Sequence, residues 1–195
     1  MALSDLLALL HSRRGHFALE SGNHGDRWLE VDRLFVDPEV ARPFARELAE
    51  LLRPYDIEAV CGPASGGGLL AGLVARELGA AACTAERIAG PSSTVTYRLS
   101  DDLACVVAAS RVAVVDDVIG AGSAVLATLA EVRRWGGVPR VIGALLESGL
   151  APGQLAARAG LPVVSLGSLE SGMWPPAACP LCRANVPLEV LVPMP

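Results

Sequence analysis

The segment RVAVVDDVIGAGSAVLATL, residues 111–129, constrains the fold more than any other part of the chain. Its first half is an apolar run that ends in two adjacent aspartates, a pattern typical of a strand buried on both faces. A glycine-containing turn follows, and Ser123 then begins an apolar pattern with helical spacing. A buried strand that leads through a short turn into a helix is the repeating unit of a mostly parallel sheet.

The rest of the chain repeats this alternation of strands and helices. Predicted strands cover residues 57–62, 80–86, 111–117, 139–147 and 161–167. Predicted helices cover residues 3–14 with Ser4 as the N-cap, 38–53 after the capping residue Asp37, 69–78, 123–135 and 152–160. We expect short strands and turns outside the main core over residues 15–32, and a long connection over residues 88–110. The pattern predicts an α/β fold with a central, mostly parallel β-sheet flanked by helices.

Composition limits the functions open to this chain. Hydrophobic residues make up 52% and charged residues 19% of its 195 residues, a balance that predicts one folded domain. The net charge of −5 argues against nucleic acid as a partner. All 16 basic residues are arginine, which excludes the lysine-dependent sites of P-loop NTPases, protein kinases and Schiff-base enzymes. With no signal peptide or membrane span in the pattern, we expect a cytoplasmic protein that has no membrane partner.

The end of the strand at residues 111–117 carries the strongest functional signal, because ligands of open α/β sheets bind at the carboxyl ends of the strands. The turn after this strand consists of Gly120, Ala121, Gly122 and Ser123. Its backbone N–H groups lead into a helix start and can cradle a phosphate. The carboxylates of Asp116 and Asp117 suit a neighbouring group that donates hydrogen bonds, such as ribose hydroxyls. Together these residues predict a site for a sugar phosphate.

A second small-residue turn, GPASGGG at residues 62–68, follows the strand at residues 57–62. Taken alone it is an ordinary strand-to-helix turn. Beside the first phosphate cradle it favours a ligand with two separated phosphate ends. The residues that would form this second cradle are Ala64, Ser65, Gly66 and Gly67.

These motifs resemble a known family. VAVVDDVIGAGSA is similar to the signature with which type I phosphoribosyltransferases bind phosphoribosyl pyrophosphate (PRPP). Four further segments resemble those of the orotate phosphoribosyltransferases, and with them the resemblance covers nearly the whole chain. They are GHFALESGNHGDRW near the N-terminus, CGPASGGGLLAGLVARELGA, TAER before a catalytic loop, and the tail WPPAACPLCRANVPLEVL.

The resemblance implies an architecture and a reaction. It implies the type I phosphoribosyltransferase fold as a single domain over residues 1–195. Its PRPP-binding core covers about 36–166, and a small hood is built from about 15–35 and part of 167–195. The implied reaction joins PRPP and orotate to give orotidine 5′-phosphate and pyrophosphate, a step of pyrimidine biosynthesis. Mg²⁺, bound mainly through PRPP, is the implied cofactor. A homodimer is implied because the family's catalytic loop acts across the subunit interface.

By the family's pattern, Asp116 and Asp117 bind the ribose hydroxyls, the turn after them binds the 5′-phosphate, and the GPASGGG turn binds pyrophosphate. The catalytic loop of relatives carries a lysine, which this chain lacks. Arg87 is therefore our first candidate to stabilise the leaving pyrophosphate, and Arg98 the second, because arginine can bind phosphate bidentately.

The base-binding residues depart from the family's pattern. Relatives show Asp-Arg near the end of the fourth strand, where this chain has Glu147-Ser148, and a basic residue where this chain has Glu20. The candidate base-binding residues are Glu20, His24, Arg27 and Ser148. Arg27 or His24 could replace the missing cations. Two alternatives stay open: a phosphoribosyltransferase for another base, and a regulator that binds PRPP or a nucleotide without catalysis.

The tail contains one CxxC motif, CPLC at residues 179–182. A structural zinc site needs four ligands, and no second CxxC or histidine pair is evident in the sequence. We therefore expect no metal ligands in this chain. A zinc site shared across a dimer axis and a redox pair are the alternatives, and two cysteines in a docking tail are the simplest interpretation.

Overall fold

The secondary structure is that of a computed structural model which describes residues 3–64, 66–89, 95–149 and 153–191. The strands are β1 (His11–Ala18), β2 (His24–Glu30), β3 (Ala59–Pro63), β4 (Ala81–Ala89), β5 (Val95–Arg98), β6 (Arg111–Ile119), β7 (Val138–Ser148), β8 (Val163–Ser165), β9 (Ser168–Leu169) and β10 (Met173–Trp174). The α-helices are α1 (Leu3–Leu9), α2 (Pro38–Leu52), α3 (Gly66–Leu78), α4 (Asp101–Val107), α5 (Ser123–Arg134), α6 (Gln154–Ala159) and α7 (Pro180–Arg183). Short 3-10 helices cover Asp32–Phe35, Arg53–Tyr55 and Pro176–Ala178. The predicted site residue Ser65 lies outside the described residues, as does part of the predicted catalytic loop.

The central sheet has the strand order β5-β4-β3-β6-β7-β8, and β9 pairs with the carboxyl end of β7. Its strands run parallel except for the antiparallel pair β4–β5. All five predicted strands are present in this sheet, which confirms the predicted α/β fold. The order puts β6 between β3 and β7, so the predicted aspartate pair ends a central strand.

Helices cover both faces of the central sheet. Alternate side chains of β6 enter two separate hydrophobic clusters, as the period of two in a strand requires. Ala113 and Val115 belong to the cluster that includes residues of α2 and α3. Val112 and Val114 belong to the cluster that includes residues of α4, α5 and α6. Both faces of β6 are therefore buried away from solvent, which explains why its sequence is apolar until it reaches the aspartates.

A second, smaller sheet has the order β1-β2-β10 and is called the hood sheet below. β1 and β2 form an antiparallel hairpin within the segment that was predicted to hold short strands. β10 comes from the tail and pairs with the start of β2. The tail is also fixed farther along, since Ala18 donates its N–H to the Glu189 carbonyl at 2.9 Å and Glu189 donates to the His16 carbonyl at 2.7 Å.

Two predicted segments differ from the structure. The helix predicted over residues 3–14 ends at Leu9, and β1 begins at His11 because its backbone pairs with β2 from this residue onward. Ser4 lies inside α1 and is not its N-cap. The predicted connection over residues 88–110 contains β5 and α4, which pack against β4. In both segments tertiary pairing decides the structure and local sequence spacing does not.

The helix that Asp37 was predicted to cap begins as expected. Asp37 accepts a hydrogen bond from the Glu39 N–H at 3.0 Å, and Pro38 occupies the first helical position. Among the described residues, no helix is long and apolar enough to cross a membrane.

Candidate active site

A cavity of about 300 Å³ lies where the carboxyl end of β6 faces the hood sheet. On one side it is lined by the residues that follow β6 and on the other by residues of β2 and the tail. The lining residues used below are Glu20, Ser21, Gly25, Arg27, Trp28, Tyr97, Asp116, Asp117, Gly120, Ala121, Gly122, Ser123, Ser148, Ser171, Gly172 and Met173. The predicted sugar-phosphate residues and three of the predicted base-binding residues therefore face one space.

The turn between β6 and α5 has the geometry of a phosphate cradle. Gly122 is the N-cap of α5 and has a φ of 75°, a conformation that glycine adopts without steric cost. The carbonyl of Ala121 accepts a hydrogen bond from Arg158 at 2.8 Å, which fixes the turn from outside. Residues 120–124 line the cavity, so the first turn of α5, whose N–H groups have no partner within the helix, borders it, with Ser123 as the first helical residue.

The second predicted turn, at the start of α3, lies directly against the aspartates. A Cβ atom at Gly66 would overlap the Asp117 carboxylate, and one at Gly67 would come within 2.7 Å of Asp116 Oδ1. Only glycine leaves room for both carboxylates here. The two cradles predicted from separate parts of the sequence are therefore neighbours. Ala64 has a different role, because its N–H donates to the Ala85 carbonyl at 2.7 Å.

Burial raises the pKa values of both aspartates. Asp116 is 7% exposed, and removal from water together with the adjacent Asp117 carboxylate raises its pKa well above the usual value. Burial also raises the pKa of Asp117, to about 6, although its carboxylate accepts a hydrogen bond from the Val118 N–H at 2.6 Å. A pair of this kind is poised to bind groups that donate hydrogen bonds or carry positive charge.

Glu20 is held in the cavity wall by two residues of the β4–β5 pair. Its Oε1 accepts hydrogen bonds from Arg87 Nε at 3.0 Å and from the Tyr97 hydroxyl at 3.1 Å. Arg87 and Tyr97 are directly opposite each other across β4 and β5. The predicted catalytic arginine is thus tied to a predicted base-binding residue across 67 positions of sequence.

Arg98 lies on the other side of β5. Successive side chains of a strand point to opposite faces, so Arg98 points away from the face on which Tyr97 reaches the cavity. Its Nη1 lies 3.4 Å from Glu131 Oε2, and Glu131 is buried in α5. The geometry gives Arg98 a structural partner and no place in the cavity lining.

Arg27 is the one basic side chain in the cavity lining that the structure describes, against three acidic ones. Its Nη1 donates to Ser12 Oγ at 2.7 Å, which anchors the guanidinium to β1. Its Nε is buried and has no hydrogen-bond partner. A buried donor without a partner is costly, so this group is suited to an anionic ligand that supplies the missing acceptor.

His24 was predicted to bind the base, but it does not line the cavity. Its Nδ1 lies 2.9 Å from His16 Nε2 and 3.2 Å from Cys182 Sγ. The expectation that no histidine pair accompanies the CxxC motif is therefore wrong. The β1–β2 hairpin brings together two histidines that are eight positions apart, a spacing that no common zinc motif contains.

Sequence reasoning missed several residues of the cavity wall. Ser171, Gly172 and Met173 come from the tail, and the Ser171 hydroxyl lies 2.9 Å from that of Ser148, a residue that was predicted. Tyr97 reaches the cavity from β5, which was not predicted as a strand. These residues lie in segments without a motif, and only the pairing of β10 with β2 and of β5 with β4 brings them to the site.

Comparison of the sequence with curated proteins identifies relatives of this chain. No model of a protein family matches the sequence. The chain is 35% identical over 175 residues to an orotate phosphoribosyltransferase of Thermotoga maritima, an alignment that covers 90% of this chain and 88% of that protein. It is 34% identical to an orotate phosphoribosyltransferase of Thermus thermophilus, with coverage of 90% and 91%.

The solved structures agree at the level of the fold. The orotate phosphoribosyltransferase of Mycobacterium tuberculosis, crystallised with Fe(III) dicitrate, superposes with a TM-score of 0.65 at 21% identity. The superposition covers 86% of this chain and 94% of that one. The identity to the curated relatives extends over nine-tenths of the chain, and the arrangement of strands and helices is shared with the solved enzyme. This chain belongs to the orotate phosphoribosyltransferase family.

Proposed function

We propose that the cavity between β6 and the hood sheet is where this phosphoribosyltransferase joins PRPP and orotate to give orotidine 5′-phosphate and pyrophosphate. The observation that carries the proposal is the combination in one cavity of the aspartate pair, the glycine turn and Arg27. The first two suit the ribose and the 5′-phosphate, and the third suits the carboxylate of orotate. The reaction belongs to pyrimidine nucleotide synthesis.

The PRPP side of the cavity has a distinct task for each group. The N–H groups of the turn that ends at Ser123 bind the 5′-phosphate. Asp116 and Asp117 accept hydrogen bonds from the ribose hydroxyls and so fix the anomeric carbon toward the hood sheet. The backbone at Gly66 and Gly67 lies on the other side of the carboxylates, where the pyrophosphate of PRPP would lie.

Mg²⁺ is part of this proposal because the carboxylates suit it. Carboxylate and phosphate oxygens are its preferred ligands, and Asp116 and Asp117 offer such oxygens beside the proposed pyrophosphate position. Bound mainly through PRPP, the ion would neutralise charge on the pyrophosphate.

The reaction is a displacement at the anomeric carbon that passes through a state with oxocarbenium character. The protein contributes alignment of the base nitrogen with that carbon and stabilisation of the departing pyrophosphate. Arg87 is the proposed source of positive charge for the leaving group. Arg87 does not itself line the cavity, but its Nε donates to Glu20 Oε1 at 3.0 Å, and Glu20 is a lining residue.

The base side of the cavity depends on Arg27. Orotate is an anion, and a charge-assisted hydrogen bond contributes about 1.5–3 kcal/mol. Arg27 supplies the buried donor, whereas the residues at the end of β7 are Glu147 and Ser148 and carry no positive charge. Arg27 therefore takes the place of the arginine that relatives carry near this strand end.

We also propose that the enzyme acts as a homodimer in the cytoplasm. The dimer follows from the family's use of a loop across a subunit interface. The location follows from the substrates, which are highly charged metabolites that do not cross a membrane unaided. Light scattering on the full chain tests the first point, because a monomer mass at working concentration would contradict it.

The test of the base assignment is an acceptor panel. The protein is incubated with PRPP, Mg²⁺ and either orotate, uracil or adenine, and nucleotide products are measured. We expect a product from orotate. A product from uracil or adenine alone would contradict the proposal and favour another base.

A variant pair makes the same test residue-specific. Arg27→Gln should raise the KM for orotate by roughly 10–100-fold and leave PRPP binding nearly unchanged, since it removes one charged hydrogen bond. Arg14→Gln is the matched control, because Arg14 pairs with Arg27 across the hairpin but is an exposed side chain outside the cavity lining. Equal effects of the two substitutions on orotate would contradict the role of Arg27.

A further inference from the structure

Four side chains of metal-binding type converge at one point of the hood sheet, outside the cavity lining. They are His16 on β1, His24 on β2, Cys179 before α7 and Cys182 within α7. Their ligand atoms all lie within 4.8 Å of one another. We propose that these four residues bind one zinc ion as a structural site, which fastens the tail to the β1–β2 hairpin. This proposal stands independently of the function proposed for the cavity.

Four of the six distances between the ligand atoms are close to those of a tetrahedral zinc site, and the other two are within 4.8 Å. With Zn–N near 2.05 Å and Zn–S near 2.3 Å, tetrahedral geometry requires about 3.3 Å between two nitrogens and about 3.6 Å between nitrogen and sulfur. The two histidine nitrogens are 2.9 Å apart. His16 Nε2 lies 3.4 Å from Cys179 Sγ and 3.7 Å from Cys182 Sγ, and His24 Nδ1 lies 3.2 Å from Cys182 Sγ. Each separation is within about 0.5 Å of the zinc value.

Hydrogen bonding alone does not account for this convergence. His16 Nε2 has a nitrogen and two sulfur atoms within 3.7 Å. An imidazole nitrogen carries either one proton or one lone pair, so it makes one good hydrogen bond and not three. Three neighbours around one nitrogen are expected when all four atoms face a common centre.

The surroundings of His16 fix the tautomer that a metal needs. Its Nδ1 lies 2.8 Å from the Val186 carbonyl, to which the Nδ1–H donates. The Nε2 lone pair is then directed at the other three ligands. A metal-binding histidine usually donates its second N–H in this way, and the bond orients the ring. His16 is 1% exposed and Cys179 is fully buried, so the site is closed on the side of the hood sheet.

The ligand set selects zinc among the common metal ions. Two thiolates and two imidazoles in a tetrahedral arrangement are typical of Zn²⁺, and the CxxC spacing is that of structural zinc sites. Binding displaces the two thiol protons, and the resulting site of one Zn²⁺, two thiolates and two neutral imidazoles has no net charge. A neutral site is compatible with the burial of His16 and Cys179, while Cys182 lies on the exposed side.

The site would stabilise one wall of the cavity. Without it, the hood sheet is a three-stranded sheet in which β10 is only two residues long. β2 carries Arg27 and Trp28, and the tail carries Ser171 and Met173, all of which line the cavity. A zinc ion that joins β1, β2 and α7 would hold these two segments in register, as structural zinc does in small domains.

The first experiment measures metal in the full-length protein after expression in zinc-containing medium. We expect one zinc ion per chain by elemental analysis, and loss of the ion in Cys179→Ser and Cys182→Ser. Cys105→Ser is the matched control, because Cys105 is a free, exposed thiol on α4 outside the cluster, and it should keep its zinc. Zinc retained by both ligand variants, or iron in its place in the unaltered protein, would overturn the proposal.

A second experiment does not depend on the folding of a ligand variant. The unaltered protein, stripped with a chelator and reloaded anaerobically with Co²⁺, should show the visible bands of tetrahedral cobalt and a sulfur-to-cobalt charge-transfer band. In a separate arm, His24→Cys should keep a tetrahedral site with a stronger charge-transfer band, because a third thiolate replaces an imidazole. Octahedral cobalt spectra, or failure of the stripped, reduced protein to bind one Co²⁺ per chain, would overturn the proposal.

Discussion

At the scale of single residues, Asp116 and Asp117 determine the character of the cavity. Their backbone position follows from an apolar strand that has to end in two polar residues, which made them predictable from the sequence. Their burial did not follow from it. Burial raises both pKa values, the adjacent Asp117 carboxylate raises that of Asp116 further, and the glycines of α3 bring its first turn against both carboxylates. In the absence of ligand, the pair costs the protein stability.

The cost depends on pH in a defined direction. The pKa of Asp117 is raised from 3.8 to about 6, so the unfolded chain loses this proton at lower pH than the folded protein does. The cost is absent below about pH 4, grows between about pH 4 and 6, and is complete above that range. Asp117→Asn should therefore raise the free energy of unfolding by about 1–3 kcal/mol at pH 8 and leave it nearly unchanged at pH 4.

Urea unfolding of the ligand-free protein at a series of pH values measures this difference. Glu170→Gln serves as the control, because Glu170 is an exposed acid outside the cavity lining. The difference in free energy of unfolding between this variant and the unaltered protein should be the same at pH 4 and pH 8. A stability gain for Asp117→Asn that is equal at pH 4 and pH 8 would show that the charge of Asp117 is not its cause.

A second prediction at the scale of single residues concerns the contribution of Arg87 to stability and to catalysis. Its bond to Glu20 is half exposed, so the pair contributes little to stability, about 0–1 kcal/mol. We therefore expect the main contribution of Arg87 to be to catalysis. Arg87→Ala should lower kcat at least tenfold while PRPP affinity changes far less, because the charge is needed most when pyrophosphate departs.

Arg111→Ala provides the comparison for Arg87→Ala. Arg111 pairs with Glu58 at 3.2 Å with almost the same exposure, but it lies at the opposite, amino end of β6. It should lose at least as much stability, because Arg111 Nε also donates to the Asp56 carbonyl at 2.6 Å, and keep its turnover. Unchanged turnover in Arg87→Ala would remove Arg87 from the mechanism.

At the scale of elements, the strand–turn–helix units were predictable from the sequence, whereas the elements that pair with them or pack against them were not. The central strands β3 and β6 exist because their apolar runs are buried on both faces, whereas β8 is only partly buried and depends on its pairing with β7. The start of α3 was placed three residues too late, since glycine disfavours helix in isolation. The close approach of this turn to Asp117 explains why glycine is present there all the same. The helix predicted over residues 3–14 exists but ends at Leu9, because strand pairing from His11 onward outweighed the helical spacing.

Two alanine substitutions in α3 separate these effects. Gly66→Ala places a methyl group where the Asp117 carboxylate lies, so PRPP binding should be lost while the chain still folds. Gly72→Ala lies in the middle of the same helix with no atom within 4 Å of the new methyl group, and should raise the free energy of unfolding by about 0.5–1 kcal/mol. Calorimetric PRPP binding and urea unfolding of both variants check this. Intact PRPP binding in Gly66→Ala would contradict the proposed position of the carboxylate.

At the scale of the whole molecule, the cavity has a PRPP side and a base side, and only the PRPP side could be predicted well from the sequence. The PRPP side comes from continuous motifs, since the aspartates and the turn lie within eight positions. The base side is assembled from distant segments, such as Ser148 with Ser171 and Glu20 with Arg87. The histidine–cysteine cluster is assembled from even more distant segments, because His16 and Cys182 are 166 positions apart. Contacts of this range depend on the tertiary fold, and no local spacing predicts them.

The most direct test of the central claim is the release of pyrophosphate from PRPP by the purified full-length protein. Release should require both orotate and Mg²⁺, and it should be lost in the double variant Asp116→Asn/Asp117→Asn, which remains folded by circular dichroism but no longer binds PRPP. If the unaltered protein binds PRPP but releases no pyrophosphate with orotate, or if the double variant releases it at the same rate, the cavity is not the site of this reaction.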